Sequence, residues 1–315
     1  MANGRAWRAA GCALVIALCV LGSAGPLRGQ DTKTGLIQQI GWEISTGNIR
    51  SALADARRAV QEFPDSAILM HLLAVAEAKN GLDNEARQSF RKAIRLDPTI
   101  PQDYYDLALL DMQAGDYTEA TSILQSYINV TPQNAKAHLM LGIAYRKQKK
   151  YQLAIAQLKQ SLAASPNLPL AHYTLGKIYA SEGDNKAALD EFRDELGVNP
   201  EFYDVYWSAG NSELAEKNYG SAEALFRRAT KLRPLAWQGY DGLARVFLAQ
   251  NKLAQAESEL NMVITLAPQD IEAHSMLASV YTKLGKTLEA RREELVVETL
   301  RNQAKQTEEP SAPSH

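Results

Sequence analysis

The chain has 315 residues, of which 46% are hydrophobic, and a formal net charge of −2 at pH 7. This near-neutral balance excludes the overall basicity that would favour nucleic acid as a partner. A chain of this length would ordinarily form about two domains.

The first 24 residues have the pattern of a secretory signal peptide. Arg5 and Arg8 precede an apolar run from Ala9 to Leu21, and the small residues 22–24 follow as a cleavage site. The run is too short for a membrane span, which needs about 20 residues. We therefore predict a signal peptide over 1–24 and a short linker over 25–32. The alternative is an uncleaved segment, which would be the protein's one attachment to a membrane.

Both cysteines, Cys12 and Cys19, lie in this segment. After cleavage the mature chain would contain no thiol and no disulfide. Leu18 is too large for the residue that precedes the cysteine of a lipoprotein signal, which argues against lipid attachment. These features predict a bacterial protein that is periplasmic or secreted.

From residue 33 onward the sequence repeats with a step of 34 residues. Seven prolines keep this step: Pro64, Pro98, Pro132, Pro166, Pro200, Pro234 and Pro268. Eight alanines keep it as well: Ala52, Ala86, Ala120, Ala154, Ala188, Ala222, Ala256 and Ala290. A fixed period is the signature of a tandem array, so no internal domain boundary is needed. The repeats are 33–66, 67–100, 101–134, 135–168, 169–202, 203–236, 237–270 and 271–304.

Each repeat contains two apolar patterns with helical spacing, separated by a turn. Two helices of about 14 residues fill the period, and the proline ends the second helix because it lacks the N–H of the helical ladder. Five turns carry the glycine that a positive φ favours: Gly47, Gly81, Gly115, Gly183 and Gly285. Lys149, Lys217 and Asn251 replace glycine in the other turns, so we expect the requirement to be soft.

Small residues on both helices of a repeat predict that the two helices pack closely. The second helices carry the alanine series, and the first helices carry a further small set: Ala74, Ala108, Gly142, Gly176, Gly210, Ala244 and Ala278. Larger apolar residues fill the remaining space on the first helices: Leu73, Leu107, Leu141, Leu175, Leu243 and Leu277. A matching set stands on the second helices: Phe90, Leu124, Leu158, Phe192, Phe226 and Leu260.

The 34-residue step, the small positions, the proline and the aromatic residues Tyr117, Tyr151 and Tyr219 that open second helices resemble the tetratricopeptide repeat family. The resemblance covers residues 33 to about 304. It implies an all-α fold, a right-handed α-solenoid of about eight helix-turn-helix units whose first helices line a concave groove. Ile40 and Glu294 depart from the pattern in the first and last repeats, where a unit faces water. Residues 305–315 are predicted to be a disordered tail.

Enzymatic signatures are absent from the sequence. It contains no His-Glu-x-x-His zinc motif, no phosphate-binding loop and no Gly-x-Ser-x-Gly elbow. His138, His172 and His274 could suggest metal ligands, but they share a repeat position with Tyr104, Tyr206 and Tyr240. We therefore interpret them as packing residues, and we predict no catalytic residue, no cofactor and no metal.

Function is then expected on the face of the first helices that lines the groove. In the N-terminal half this face carries an apolar series: Ile68, Val75, Tyr105, Leu109, Met112, Leu139 and Ile143. In the C-terminal half it carries polar and aromatic residues: Tyr173, Lys177, Trp207, Asn211, Asp241 and Arg245. Lys177, Asn211 and Arg245 hold one place in three consecutive repeats and should form a ladder of hydrogen-bond donors. Tyr173 stands where the carboxylate clamp of chaperone-binding family members has its first lysine, so chaperone-tail binding is not inferred.

These features predict a non-enzymatic scaffold that binds a protein or peptide segment in the groove and helps to assemble an envelope complex. The segment would be apolar toward one end and would carry a carboxylate near Lys177 and Arg245. Two alternatives remain: a chaperone-like holder of unfolded clients, and a regulatory part of an enzyme complex. Nucleic acid is not expected as a partner.

Overall fold

The computed structural model describes residues 32–308, which form sixteen α-helices and no strand. They fall into two compact bodies that divide after Leu168. The helices of the N-terminal body are α1 (Thr32–Ser45), α2 (Ile49–Glu62), α3 (Ala67–Lys79), α4 (Asp83–Leu96), α5 (Pro101–Ala114), α6 (Tyr117–Val130), α7 (Ala135–Lys147) and α8 (Tyr151–Ala164). Those of the C-terminal body are α9 (Ala171–Ser181), α10 (Asn185–Val198), α11 (Tyr203–Ala215), α12 (Tyr219–Leu232), α13 (Trp237–Ala249), α14 (Leu253–Leu266), α15 (Ile271–Lys283) and α16 (Thr287–Glu308).

Odd-numbered helices are the first helices of the repeats and even-numbered helices are the second. The two helices of each repeat pack against one another, which confirms the all-α fold of repeated helix pairs. The predicted signal peptide, the linker up to residue 31 and both cysteines lie outside the described residues. Helix α16 continues to Glu308, so residues 305–308 are helical where the sequence predicted disorder. No helix between residues 32 and 308 is both long enough and apolar enough to cross a membrane.

Close packing within each repeat depends on the small positions. The alanine series from Ala52 to Ala256 has no exposed surface, and Ala290 is 5% exposed. A Cβ built on Gly142 would lie 2.7 Å from a carbon of Leu158, and one built on Gly176 would lie 2.5 Å from the ring of Phe192. The residue sixteen positions further along the repeat therefore fills the space above each glycine, and any larger side chain would force the helices apart.

All eight turns between paired helices adopt the same left-handed backbone. The five glycines there have φ between 74° and 86°, and Lys149, Lys217 and Asn251 have φ of 60°, 60° and 57°. Glycine is therefore not required at these turns, as the sequence indicated, although the positive φ is kept in all eight. The turn geometry is strict, and at three turns a residue with a Cβ adopts it at some cost in conformational energy.

In five repeats, the fourth residue of the repeat forms a hydrogen bond with the carbonyl of the proline that precedes the first helix. The hydroxyls of Tyr104, Tyr206 and Tyr240 donate to the carbonyl of the proline six residues earlier, at 3.3, 3.0 and 3.1 Å. Nε2 of His138 and of His274 makes the same contact, at 2.8 and 3.2 Å. Histidine thus takes the structural role of tyrosine at this position, because its ring nitrogen reaches the same carbonyl oxygen.

Helix α9 departs from the regular pattern. First helices α3 to α15 otherwise begin at the first residue of their repeat, but α9 begins at the third, after Leu170 with φ of 75°. The buried carboxylate of Glu195 on α10 accepts the N–H groups of Leu170 and Tyr173, at 2.9 and 3.1 Å. A carboxylate at a helix N-terminus satisfies N–H groups that have no partner within the helix. Other repeats carry mostly small or apolar residues at this position: Ala59, Ala93, Tyr127, Ser161, Ala229, Val263 and Val297.

Candidate functional site: the face of the first helices

First helices contact one another directly inside each body. In the N-terminal body α1 lies against α3 and α5 against α7, and in the C-terminal body α11 lies against both α9 and α13. Side chains at one repeat position on these helices therefore form rows that cross from one repeat to the next. Such a row is the structural basis of the binding face predicted from the sequence.

Part of the apolar series in the N-terminal body belongs to the core. Tyr105 and Leu139 are each only 6% exposed. The Tyr105 hydroxyl donates to Asn134 Oδ1 at 2.6 Å, and its ring lies edge-on to Tyr127 with centroids 5.8 Å apart. The sequence predicted that these two residues line the groove, but neighbouring helices cover them and little of either side chain is exposed.

The other members of the apolar series reach the surface. Ile68 is 45% exposed, and Val75, Leu109, Met112 and Ile143 are half-buried. Val75 and Met112 also pack against core residues, so only part of each side chain is available. The N-terminal body thus offers a shallow apolar surface rather than a deep groove floor.

A cluster of titratable groups stands beside this surface, and the sequence analysis missed it. His71 on α3 lies with Nδ1 2.7 Å from Asp103 Oδ1 on α5, and Asp103 has no exposed surface. Asp106 lies three residues after Asp103 on α5 and accepts a hydrogen bond from Gln102 at 2.7 Å. Burial raises the pKa of Asp106 to about 6. The sequence does contain a signal for Asp103, because six other repeats carry a small or apolar residue at the same position: Leu69, Ala137, Ala171, Val205, Gly239 and Ala273.

Two aromatic residues lie on the face of the C-terminal body. Tyr173 on α9 packs against Phe202 and Phe192, with ring centroids 5.0 and 6.1 Å apart. Trp207 on α11 is half-buried, and Lys177 Nζ from α9 lies 5.4 Å from the centroid of its ring. This distance is within the range of a cation–π contact, which links the face of one repeat to that of the next.

The three predicted donors of the C-terminal body all have intramolecular contacts. Asn211 donates through Nδ2 to the carbonyl of Trp207 at 2.8 Å. Arg245 donates through Nε to Asp241 Oδ2 and through Nη2 to Glu272 Oε1 on α15, each at 2.8 Å. Hydrogen-bond acceptors therefore lie beside the donors of this row. The sequence alone did not reveal this, because Glu272 belongs to the next repeat.

Burial and ion pairing have opposite effects on the pKa values of Asp241 and Arg245. Burial raises the pKa of the Asp241 carboxyl, and the hydrogen bond from Arg245 opposes that shift. Burial also acts to lower the pKa of Arg245, but the hydrogen bonds and charges of Asp241 and Glu272 raise it overall. Arg245 therefore stays positively charged, and two of its five N–H donors are committed to carboxylates.

Comparison with known proteins identifies the repeat. One model of the tetratricopeptide repeat matches residues 43–101, 105–169 and 173–236, and a second matches residues 213–291. No curated protein sequence matches the chain significantly.

Solved structures of low sequence identity share the fold. A chain of the APC/C hetero-tetramer Cut9–Hcn1 matches with a TM-score of 0.60 and 18% identity over 78% of this chain, which spans only 48% of that chain. The C-terminal part of a repeat protein from Cytophaga hutchinsonii matches with a TM-score of 0.60 and 14% identity, covering 76% of this chain and 99% of that one. PilW, described as a type IV pilus biogenesis factor, matches with a TM-score of 0.59 and 20% identity, covering 67% and 97%.

Proposed function

We propose, since this chain belongs to the tetratricopeptide repeat family, that it is a non-enzymatic scaffold that binds a segment of a partner protein on the face of its first helices. Nearly all of the described chain is built into helix pairs. The repeated face is the feature that a peptide segment can follow.

The observation that carries the proposal is the continuity of that face in the C-terminal body. Lys177 on α9 reaches the ring of Trp207 on α11, and Arg245 on α13 reaches Glu272 on α15. Each contact crosses from one repeat to the next, so charged and aromatic groups of four consecutive first helices lie along this row. An extended or helical segment that lies across the first helices would contact several of these groups at once.

Charge indicates which partner groups suit this row. Arg245 retains N–H donors beyond those used by Asp241 and Glu272, and Glu272 is largely exposed. A carboxylate of the partner can join or replace Glu272 with little desolvation, whereas Asp241 is mostly buried and stays in place. The shallow apolar surface of the N-terminal body, from Ile68 to Ile143, suits an apolar stretch.

The proposal extends to an envelope role in a bacterial cell, in the periplasm or outside it. It is supported by the signal-peptide pattern of residues 1–24. Cell fractionation and N-terminal sequencing of the chain recovered from its own host test this part. Recovery of an intact N-terminus from the cytoplasmic fraction would contradict it.

Affinity capture from the cell envelope, followed by binding measurements with the captured segment, tests the binding face. The variant Lys177→Ala/Arg245→Ala should weaken binding about tenfold or more, because two charge-assisted contacts are lost. The matched control Lys186→Ala/Lys231→Ala removes the same charge from exposed positions on second helices and should bind like the wild-type chain. Equal affinity of all three proteins would show that Lys177 and Arg245 do not take part in binding.

A chaperone-like holder is the second candidate, and the half-exposed Ile68 with its half-buried apolar neighbours favours it. A holder would suppress aggregation of many unrelated unfolded proteins. Its activity would fall on substitution of Ile68 and Leu109 by Ser and would not change in Lys177→Ala/Arg245→Ala. Selective capture of one segment favours the scaffold instead.

A further inference from the structure

Three potential metal ligands meet on the first two helices of the C-terminal body. The ligand atoms of His172 on α9 and of Glu191 and Asp194 on α10 all lie within 4.8 Å of one another. Glu191 and Asp194 are three residues apart on one helix and so project from the same side. We propose that these three side chains bind one divalent transition-metal ion, with zinc as the best match.

The geometry is close to what zinc requires. His172 Nδ1 and Glu191 Oε2 are 2.7 Å apart. In a tetrahedral zinc site with bonds of 2.0–2.2 Å, two ligand atoms lie about 3.4 Å apart. Small side-chain rotations would therefore lengthen the 2.7 Å separation of His172 and Glu191 and shorten the larger separations to Asp194. Three protein ligands leave the fourth position of a tetrahedral ion for water.

The donor set selects the class of metal. One imidazole nitrogen with two carboxylate oxygens suits zinc and similar transition-metal ions, whereas calcium and magnesium prefer oxygen ligands alone. Both His172 and Glu191 are about four-fifths buried, which limits the side-chain entropy that binding would cost.

Two other repeats contain the same hydrogen bond and show what is particular to this one. His138 Nδ1 lies 2.7 Å from Gln157 Oε1, and His274 Nδ1 lies 2.5 Å from Glu293 Oε2, in each case across the same interval of 19 residues. In both, the ring is also bound through Nε2 to a proline carbonyl. Within residues 32–308, His172 shows no such bond to Pro166.

The third ligand is also particular to this repeat. The position of Asp194 is Gln160 in the repeat of His138 and Val296 in that of His274, so neither has a second carboxylate. His172 therefore combines a ring that can turn toward a metal with a third ligand, and His274 lacks both. His274 with Glu293 provides an internal control.

The positive side chain next to Asp194 in the sequence is paired with a carboxylate outside the proposed ligand set. Helix α10 carries Asp190 beside the proposed ligands, and the guanidinium of Arg193 is already paired with Asp190, Nη1 to Oδ1 at 2.8 Å. A bound ion would join α9 to α10 close to the late start of α9. Binding to the folded chain alone would stabilise this helix pair.

Isothermal titration of the untagged full chain with zinc chloride tests the proposal. Cys12 and Cys19 are replaced by serine in every sample, because thiols bind zinc themselves. One equivalent of zinc should bind, the melting temperature should rise, and EDTA should reverse the rise. Calcium should bind at least tenfold more weakly.

The variants decide which residues hold the ion. Asp194→Asn and His172→Ala should each weaken zinc binding about tenfold or more, whereas His274→Ala should bind as the parent does. Asp194 is exposed, so Asp194→Asn keeps the fold, and circular dichroism checks this for each variant. The proposal is overturned if the parent binds no zinc, if Asp194→Asn binds it equally well, or if calcium binds as tightly.

Discussion

His71 Nδ1 lies 2.7 Å from Oδ1 of the wholly buried Asp103. The other oxygen of Asp103 is buried and finds no hydrogen-bond partner within residues 32–308, although the side chain stands where related repeats carry small or apolar residues. Asp106 on the same helix adds a second half-buried carboxyl, and the nearest cation from α7 is Lys136. The N-terminal body thus holds an ionisable cluster that makes its stability depend on pH.

The free energy of unfolding of the N-terminal body should fall as pH rises from about 4 to 8. Burial lowers the pKa of His71, but the hydrogen bond and charge of Asp103 and the charge of Asp106 outweigh it and raise the pKa above 6.5. Burial raises the pKa of Asp106 from 3.8 to about 6. A group whose folded pKa is raised contributes stability that is fully present below its unfolded pKa and is lost as pH rises through its folded pKa.

Urea denaturation at a series of pH values measures this dependence. Asp106→Asn keeps the acceptor for Gln102 and should flatten the fall between pH 3.8 and about 6. The flattened part should amount to a contribution on the order of 3 kcal/mol. His71→Gln should flatten the part above pH 6.5. Profiles of both variants that run parallel to the wild-type profile would contradict the prediction.

Substituting Tyr104 by Phe should destabilise the chain by about 1 kcal/mol, because it removes a part-buried hydrogen bond to the carbonyl of Pro98. Tyr240→Phe should cost less, since its bond to Pro234 is exposed and water can replace it. Thermal denaturation compares the two. Tyr219→Phe is the control, because no hydrogen bond of the Tyr219 hydroxyl is found among the described residues, and it should change stability least.

Gly242→Ala should destabilise the C-terminal body by about 1–3 kcal/mol. A Cβ at this position would lie 2.4 Å from the ring of Phe226, which is fully buried and cannot move aside. Gly41→Ala is the matched control, because it stands in a helix with nothing within 4 Å of the added carbon. It should stabilise the chain by about 0.5–1 kcal/mol through helix propensity. Chemical denaturation should therefore show shifts of opposite sign.

Glu195→Ala should destabilise the C-terminal body by about 2–3 kcal/mol, because two N–H groups at the start of α9 lose a charged acceptor in a buried place. Alanine occupies the same position at Ala59, Ala93 and Ala229, so its size fits the repeat. Ser161→Ala, which removes one hydrogen bond to the carbonyl of Ala135, should cost about 1 kcal/mol. Equal effects of the two substitutions in urea denaturation would argue against the capping role.

Features set by the period were predictable from the sequence, and features that break the period were not. Ala154 and Leu158 recur in step, so their burial followed from alignment of the repeats. Asp103 and Glu195 occur once each, and only the packed structure shows that a neighbouring helix supplies the partner of each. The positive φ of Lys149 also follows from its place in the period, although lysine by itself does not favour that conformation.

The sequence predicted which side of the helices carries the candidate binding residues, but it did not predict which of those residues are exposed. Helical spacing put Tyr105 and Leu139 on the expected side of their helices, yet both are buried. Spacing along one helix says which direction a side chain takes, and coverage depends on what the next helix brings. The contacts of Arg245 follow the same logic, since Glu272 is 27 residues further along the chain.

Glu195 also has a consequence for the order in which the chain is made. The carboxylate that accepts the N–H of Leu170 lies 25 residues later in the sequence. During synthesis from the N-terminus, the first turn of α9 cannot be completed until Glu195 has left the ribosome. Repeats whose first helices start at the usual residue have no such delay from a buried carboxylate. The time between synthesis of Leu170 and synthesis of Glu195 is therefore the least time for which this turn lacks its acceptor on the nascent chain.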